Sequence, residues 1–157
     1  MMVSNSKTYE LVQDFKKRYP LTLSWFRVKK HVELVDKSLH DNEKVLYAIV
    51  GQWNEHDGDW FDTAVLAVTN ERIIVAQNRL IGGYRVISVT PKFFNDVEIG
   101  AGVIWGEAKI CTMKEKIEFD GLSKKSVIEI KKNITSLMDA YKGNNPLEID
   151  EEPEENS

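Results

Sequence analysis

One stretch of the sequence, residues 65–89, constrains the fold more than any other. It reads VLAVTNERIIVAQNRLIGGYRVISV. Two apolar segments flank the polar turn at residues 69–72, and a third apolar segment begins after Gly82-Gly83. Short apolar segments rich in β-branched residues and separated by turn residues are typical of antiparallel strands. The stretch therefore predicts a β-rich domain, although it contains little that indicates chemistry.

The strand pattern extends from residue 45 to residue 119. Seven strands are predicted, at residues 45–52, 63–69, 72–77, 84–89, 96–101, 103–113 and 116–119. Turn-forming residues separate them, including the Asp57-Gly58 pair and Pro91. Strands spaced this closely, with no helix between them, favour an antiparallel barrel or sandwich.

The first forty residues have helical spacing instead. Val12, Phe15 and Tyr19 are three and four residues apart, and Pro20 ends that pattern. A second apolar row with the same spacing consists of Trp25, Val28, Val32, Val35 and Leu39. Such a row lies on one face of a helix. It either packs on its own domain or binds a partner or a second copy of the chain.

A helix is expected to close the domain. Ser126 followed by Glu129 fits a capping box, and Ser123 offers an alternative start for a longer helix. The apolar row of this helix consists of Val127, Ile130, Ile134, Leu137 and Tyr141. The row predicts that the helix packs on one opening of the barrel.

Composition and charge narrow the class of protein. The chain has 157 residues and one cysteine, Cys111, which excludes an intrachain disulfide framework. We find no stretch typical of a signal peptide or a membrane span, so a cytoplasmic location is expected. Residues 1–42 hold eight basic and five acidic residues, while residues 143–157 hold six acids and no base. The formal net charge is −4, so nucleic-acid binding is not expected.

Three segments are more specific than the architecture. VLAVTNERIIVAQ, LIGGYRVISV and IEFDGLSKK, in this order and spacing, resemble the YokE-like bacterial PH-domain family, which is associated with Bacillus prophages. The resemblance implies an α+β, PH-like, seven-stranded antiparallel barrel or sandwich capped by a C-terminal helix, but no established activity. With the helical pattern it divides the chain into an N-terminal helical extension (residues 1–41), a PH-like domain (42–142) and a disordered acidic tail (143–157).

Phosphoinositide binding is the first function that a PH-like fold suggests. Lipid-binding PH domains place basic residues where this chain has Glu55, Asp57, Asp59 and Asp62. Four carboxylates would repel a phosphate group, so specific binding there is not expected. The remaining basic candidates on the strands are Arg72, Arg79 and Arg85.

Metal binding and catalysis have weak signals. His56, Asp57, Asp59 and Asp62 are close in sequence, but they fit a solvated hairpin turn better than an EF-hand loop. His31, His40 and Cys111 lie in no nucleophile or triad motif. We therefore expect that the protein is not an enzyme and that it binds neither a metal nor a cofactor.

Recognition is the function that remains. Tryptophans at loop edges often anchor interfaces, although they more often pack inside the domain. The candidate interaction residues are Trp25, Val28, Val32, Trp53, Trp60, Arg72, Arg79 and Arg85. They predict a non-enzymatic adaptor that binds a protein partner or itself. An extended peptide could also add to the sheet edge beside the closing helix.

Weak attachment to anionic membrane surfaces is the alternative function. Basic and aromatic residues are interleaved in the N-terminal helices. They are Lys16, Lys17, Arg18, Arg27, Lys29 and Lys30 with Phe15, Tyr19, Trp25 and Phe26. The net charge of residues 1–42 is only +3, so membrane attachment is less favoured than binding to a protein.

Overall fold

The computed structural model describes residues 6–53 and 62–143. Its helices are α1 (Lys7–Arg18), α2 (Val28–Ser38) and α3 (Ser126–Gly143), with a short 3-10 helix at Pro91–Phe93. Its strands are β1 (Val45–Trp53), β2 (Thr63–Thr69), β3 (Ile73–Asn78), β4 (Tyr84–Val89), β5 (Phe94–Ala101), β6 (Trp105–Thr112) and β7 (Lys116–Ser123). Residues 144–157, almost all of the expected tail, lie outside the described residues. No described helix is long and apolar enough to cross a membrane.

The strands form one antiparallel sheet in the order β4-β3-β2-β1-β7-β6-β5. The two halves of the sheet meet where β1 pairs with β7, at Gln52 with Asp120 and Trp53 with Phe119. The sheet is curled into a half-barrel, and together with the three helices it confirms the predicted α+β fold. The Gly82-Gly83 turn also forms as expected, because both glycines have positive φ angles, 93° and 81°.

Strand positions follow the prediction closely, and most differences fall at strand ends. β2 and β4 have the predicted bounds, whereas β7 continues four residues beyond Phe119, to Ser123. Gly121 lies in this continuation with a φ of 65°. A glycine within a strand often marks an irregularity or a close backbone contact, which explains why the sequence pattern stopped short of it.

The N-terminal helices pack on the sheet of their own domain. α1 contacts β1, while α2 lies against β2 and β3. Val12, Phe15, Val32 and Val35 are fully buried at these contacts. All seven residues of β2 are buried, which indicates that both of its faces are covered. Of the two interpretations of the apolar row, packing on the domain is therefore confirmed.

The predicted five-residue row on one helix was nevertheless wrong at its ends. α2 begins at Val28 and ends at Ser38, so Trp25 and Leu39 lie outside it. Arg27 has a φ of 51°, in the left-handed region, and this residue breaks the helical continuation toward Trp25. Trp25 therefore does not lie on the buried helix face that carries Val28 and Val32.

α3 closes the domain against β5, β6 and β7. Ile130 and Ile134 are fully buried as predicted. Leu137, which the pattern placed in the same buried row, is only partly buried, and Met138 is fully buried instead. The predicted capping box was wrong. The Ser126 hydroxyl donates to the Ser123 carbonyl, 2.7 Å away.

The Glu129 carboxylate joins three elements of the fold instead of capping α3. It accepts hydrogen bonds from the Tyr19 hydroxyl at 2.9 Å and the Tyr47 hydroxyl at 2.8 Å, and it pairs with the Arg18 guanidinium. Burial, with the bond to Glu129, raises the pKa of Tyr47. These contacts tie α1 and β1 to the first turn of α3.

Two lysines of α3 protect the β5 edge of the sheet. The Lys131 ammonium donates to the Val97 carbonyl at 2.7 Å, and the Lys142 ammonium donates to the Phe94 carbonyl at 2.9 Å. An added strand would need such edge carbonyls as hydrogen-bond acceptors. The contacts therefore argue against peptide addition at the edge beside the closing helix.

His31 is a buried link between α2 and β3. Its Nδ1 accepts a hydrogen bond from the Asn78 backbone N–H at 2.8 Å, and its Nε2 lies 2.7 Å from the Phe26 carbonyl, to which it must donate. These partners select the neutral imidazole with its proton on Nε2. Burial lowers the pKa of His31 to about 4, despite the opposing effect of the Phe26 carbonyl.

We expect His31 to make folding sensitive to mild acid. The unfolded imidazole has a pKa of about 6.5, so between pH 6.5 and 4 the unfolded chain binds more protons than the folded one. The free energy of unfolding should therefore fall as the pH is lowered through this window, by up to about 3 kcal/mol. Urea denaturation at pH 7 and pH 5 measures the larger part of this loss.

The control for this prediction is the exposed His40. Replacing His31→Gln should flatten the pH dependence of the unfolding free energy above pH 5. The same replacement at His40, whose side chain is 62% exposed, should preserve the slope. An unchanged slope in the His31 variant would show that another group causes the acid sensitivity.

Candidate interaction surface

The segment between α1 and α2 exposes its large apolar side chains and buries its small polar ones. Leu21 is 63% exposed, Leu23 is 37% exposed and Trp25 is 56% exposed. Thr22 and Ser24, which alternate with them, are each only 7% exposed. Alternation with a period of two is the pattern of an extended chain. Here the pattern is inverted, because the polar side of the segment faces the protein.

Hydrogen bonds explain why the polar side faces inward. The Thr22 hydroxyl accepts from the Ser123 backbone N–H at 3.2 Å, and the Leu23 N–H donates to the Gly121 carbonyl at 2.7 Å. The Gln52 amide donates to the Leu23 carbonyl at 2.9 Å. The segment thereby supplies partners for polar groups at the ends of β1 and β7, which would otherwise be costly to bury.

Gly121 permits the close approach of this segment. A Cβ atom built at Gly121 would lie 3.1 Å from the side chain of Leu23, and the positive φ angle would strain any other residue there. The glycine therefore explains how Leu23 can lie against β7 while its side chain stays partly exposed.

The turn between β5 and β6 extends the exposed apolar area. Val103 is 88% exposed, Ile104 is 46% exposed and Trp105 is 44% exposed. The Trp105 indole N–H donates to the Leu21 carbonyl at 3.0 Å, which fixes the ring beside the α1–α2 segment. We call the combined area the apolar surface; it consists of Leu21, Leu23, Trp25, Val103, Ile104 and Trp105.

An acidic pocket adjoins the apolar surface at Trp105. Its volume is about 190 Å³. Three carboxylate residues and Trp105 line it, together with a glycine-rich stretch of the chain. The lining residues are Gly100, Ala101, Gly102, Trp105, Gly106, Glu107, Glu118, Asp120 and Gly121. Lys109 lies at its border, with its ammonium 3.7 Å from Glu107 and 4.0 Å from Glu118.

The structure separates the residues that the sequence suggested for interaction. Val28 and Val32 are buried under α2, and Trp53 is only 3% exposed in the core. These three side chains are packed inside the domain, so their part in an interaction stays a prediction. Trp60 lies outside the described residues. Trp25 keeps its accessible position, and it is now joined by Leu21 and Leu23.

The three candidate arginines do not surround one site. Arg72 precedes β3 and Arg79 follows it, so they lie at opposite ends of that strand. Arg85 pairs in register with Gln77, near the Arg79 end, and its guanidinium stacks on the Trp53 ring at 4.6 Å. A single phosphate therefore could not contact all three.

Arg72 has a structural role in a buried ion pair. Its guanidinium donates to both oxygens of Glu43 at 3.0 Å and to the Ser38 carbonyl at 2.7 Å. The Glu43 carboxylate is fully buried, and it also accepts from the Thr69 hydroxyl at 2.6 Å. Burial disfavours the charge of Glu43, but the bonds from Arg72 and Thr69 outweigh it and lower its pKa to about 2.

The other reactive side chains have partners that account for them. His40, Glu43 and Glu71 bring potential metal-ligand atoms within 4.8 Å of one another. Glu43 is already paired with Arg72, and His40 Nδ1 lies 2.9 Å from Glu71, so each of these ligand atoms already has a partner within the protein. Burial raises the pKa of the Cys111 thiol, which disfavours the nucleophilic thiolate.

The curled sheet and the closing helix identify a PH-like domain. The exposed apolar surface is its candidate docking surface. The family described as "Bacterial PH domain" matches residues 39–137, well over half of the chain. The chain therefore belongs to the bacterial PH domain family.

Solved structures with similarity to this chain include two from Shewanella. One is a DUF1696 family protein with a pleckstrin-homology domain from Shewanella loihica PV-4; it is 16% identical, with a TM-score of 0.45, over 75% of this chain and 95% of that chain. The other is a pleckstrin homology domain from Shewanella amazonensis SB2B; it is 16% identical, with a TM-score of 0.43, over 71% of this chain and 87% of that chain. A search of curated proteins found no match.

Proposed function

We propose that this chain is a non-enzymatic binding module that docks a protein partner through the apolar surface. The observation that supports the proposal is the inverted segment, which exposes Leu21, Leu23 and Trp25 while burying Thr22 and Ser24. Contiguous exposed apolar groups cost solubility and are typical of interaction sites. Tryptophan, present twice on this surface, is among the residues that contribute most to protein interfaces.

The finer assignments belong to the same proposal. The YokE-like segments support a Bacillus or prophage protein, and the lone cysteine supports a cytoplasmic location. We keep the division into residues 1–41, 42–142 and 143–157 as a proposal. The buried contacts of α1 and α2 favour a helical extension that acts together with the PH-like part.

Attachment to an anionic membrane is the less favoured alternative. Phe15 and Phe26 are buried, so two of the four aromatic residues expected to enter the lipid face the domain instead. The carboxylates of Glu107, Glu118 and Asp120 adjoin the apolar surface and would face the anionic headgroups. Both observations favour a protein partner over a membrane.

Leu23→Glu should remove partner capture without unfolding the domain. Full-length chain immobilised on beads would capture proteins from a lysate of the native host, and the captured proteins would be quantified by mass spectrometry. A charge in the centre of an apolar interface is strongly unfavourable, so we expect the specifically captured partner to fall by about tenfold or more. Leu23 is partly exposed, so the melting temperature should change little.

Leu46→Glu is the matched control. Leu46 is 45% exposed on β1, on a different part of the molecule from the apolar surface, and its replacement should leave capture unchanged. Equal capture by both variants would contradict the proposal. Loss of binding to phosphatidylserine vesicles in Leu23→Glu alone, without any change in protein capture, would reassign the surface to membranes. Sedimentation of the purified chain would show whether the partner is a second copy.

A further inference from the structure

The β4 edge of the sheet lacks the protection that the β5 edge has. β4 is the outermost strand on its side of the sheet, next to β3. It carries no lysine or proline, and its one charged residue, Arg85, stacks on the Trp53 ring. Charged residues and prolines are common means of preventing an edge strand from pairing with another chain. Lys131 and Lys142 bind carbonyls of the β5 edge, whereas no described residue does so at the β4 edge.

The register of β3 and β4 identifies the unpaired backbone groups of this edge. The Arg79 N–H donates to the Gly83 carbonyl at 2.7 Å, so these residues form a hydrogen-bonded pair of the hairpin. Because hydrogen-bonded and non-hydrogen-bonded pairs alternate along an antiparallel ladder, the backbone groups of every second residue of β4 point away from β3. These residues are Tyr84, Val86 and Ser88. Within the part of the chain that the structure describes, their backbone N–H and carbonyl groups have no hydrogen-bond partner.

From this edge we infer that the chain forms a two-fold dimer in which β4 of one copy pairs antiparallel with β4 of a second copy. With the two-fold axis at Val86, this residue lies opposite its own counterpart and Tyr84 lies opposite Ser88. All outward backbone groups at the three positions then have partners. The dimer goes beyond the proposed function, because β4 shares no residue with the apolar surface.

Charge and strand length select this register over its neighbours. With the axis at Val86, Arg85 lies opposite Ile87, so no like charges oppose each other directly. An axis at Arg85 would place two arginines opposite each other, which is destabilising. An axis at Ile87 would place Tyr84 opposite Thr90, beyond the end of β4.

Exposed apolar side chains at both ends of the edge favour a second copy as the occupant. Leu80 and Ile81, in the turn before β4, are 48% and 85% exposed. Phe93, in the short 3-10 helix after β4, is 40% exposed. In the register centred on Val86, the turn of each copy approaches the Pro91–Phe93 helix of the other copy. The same apolar contact therefore forms at both ends, as a two-fold interface requires.

Sedimentation velocity of the full-length chain over about a hundredfold range of concentration tests the dimer. For a small interface of this kind we expect a monomer–dimer equilibrium with a dissociation constant on the order of 10 µM. Ser88→Pro removes the outward N–H of an exposed residue, at a kind of edge position where proline is tolerated. Each dimer then loses two hydrogen bonds, so dimerisation should weaken by about tenfold or more.

Ser88→Thr is the matched control at the same position. It keeps the backbone N–H and adds a residue with high strand propensity, so it should dimerise at least as strongly as the wild type. Thermal unfolding of the dilute monomers checks that the proline variant is folded, because its melting temperature should be close to that of the wild type. Equal dimerisation of Ser88→Pro and Ser88→Thr would overturn the inference.

A cysteine on the two-fold axis gives a second measurement that does not depend on the proline variant. In the Cys111→Ser background, Val86→Cys places two cysteines directly opposite each other, with Cα atoms about 5.5 Å apart, a distance that a disulfide spans. Tyr84→Cys places them four residues apart along the paired strands, about 14 Å, which is out of reach. Mild oxidation should therefore cross-link the Val86 variant only.

The outcomes separate this inference from the proposed function. A wild type that stays monomeric at every concentration would overturn the dimer and leave docking at the apolar surface intact. Cross-linking of Tyr84→Cys as readily as Val86→Cys would also overturn it. A dimer that Leu23→Glu abolishes and Ser88→Pro preserves would overturn β4 pairing, because the second copy would then occupy the apolar surface. The proposed function itself is decided by capture with Leu23→Glu and Leu46→Glu.

Discussion

Replacing Arg72→Met should lower the free energy of unfolding by about 3–5 kcal/mol at pH 7, one of the largest effects expected of any single substitution in this chain. The methionine keeps the apolar stem but leaves the Glu43 carboxylate, which is fully buried, without its cationic partner. The bond from Arg72 to the Ser38 carbonyl is lost as well, so the end of α2 loses a contact with the β2–β3 turn. Urea denaturation followed by circular dichroism measures the loss.

The sign of a second substitution tests whether the unpaired charge causes this loss. Glu43→Gln should destabilise the wild-type chain, because it breaks the ion pair, but it should stabilise the Arg72→Met chain, because it removes the buried charge. Lys92→Met, at an exposed position, controls for the change of residue type and should have little effect. Destabilisation by Glu43→Gln in both backgrounds would contradict this explanation.

The same pair predicts behaviour in acid. The folded pKa of Glu43, about 2, is below its ordinary value of 4.5, so its contribution to stability is complete above pH 4.5 and is lost as the pH falls toward 2. In Arg72→Met the main cause of the lowered pKa is gone. The dependence of stability on pH between 4.5 and 2 should therefore weaken or reverse.

The strands were predictable from sequence because local signals agree there. In the hairpin of β2 and β3, apolar segments flank a turn whose own residues close it: the Thr69 hydroxyl accepts from the backbone N–H groups of Glu71 and Arg72 at 3.0 Å. The Gly82-Gly83 turn supplies the positive φ angles that the β3–β4 turn adopts. Neither feature depends on distant parts of the chain.

The candidate surface was not predictable in the same way. Alternation in the segment from Leu21 to Trp25 would ordinarily bury the apolar side. Backbone polar groups of Gly121 and Ser123, about one hundred residues away in sequence, reverse this orientation. They form hydrogen bonds with the segment that hold the Thr22 side of it against the protein. Among the described candidate interaction residues, Trp25 is the one that belongs to this surface, and part of the reason for naming it was a helix that does not reach it.

Arg72 shows the same limitation for charged residues. In the sequence it is a strand-end arginine available to a ligand, and its partner Glu43 lies 29 residues earlier. Pairing at that separation depends on how the α2–β1 connection folds back on the hairpin. A residue type and a position on a strand therefore do not distinguish a binding arginine from a structural one.

Replacing Ile134→Ala should destabilise the domain by about 2–5 kcal/mol, because a fully buried side chain of α3 is removed and a cavity remains. For a chain of this length the melting temperature should fall by roughly 4–20 °C. The measurement is thermal unfolding followed by circular dichroism at 222 nm, the usual helix band, together with urea denaturation.

Ile128→Ala makes this prediction specific to docking of the helix. Ile128 belongs to the same helix but is 68% exposed, so the same chemical change there removes almost no buried area. Alanine also has a higher helix propensity than isoleucine, so the control should be neutral or slightly stabilising. If both variants melt like the wild type, α3 does not pack through Ile134. If both are destabilised equally, the cause is a change in the helix itself. That result would contradict the explanation that Ile134 stabilises the domain through its burial against β5, β6 and β7.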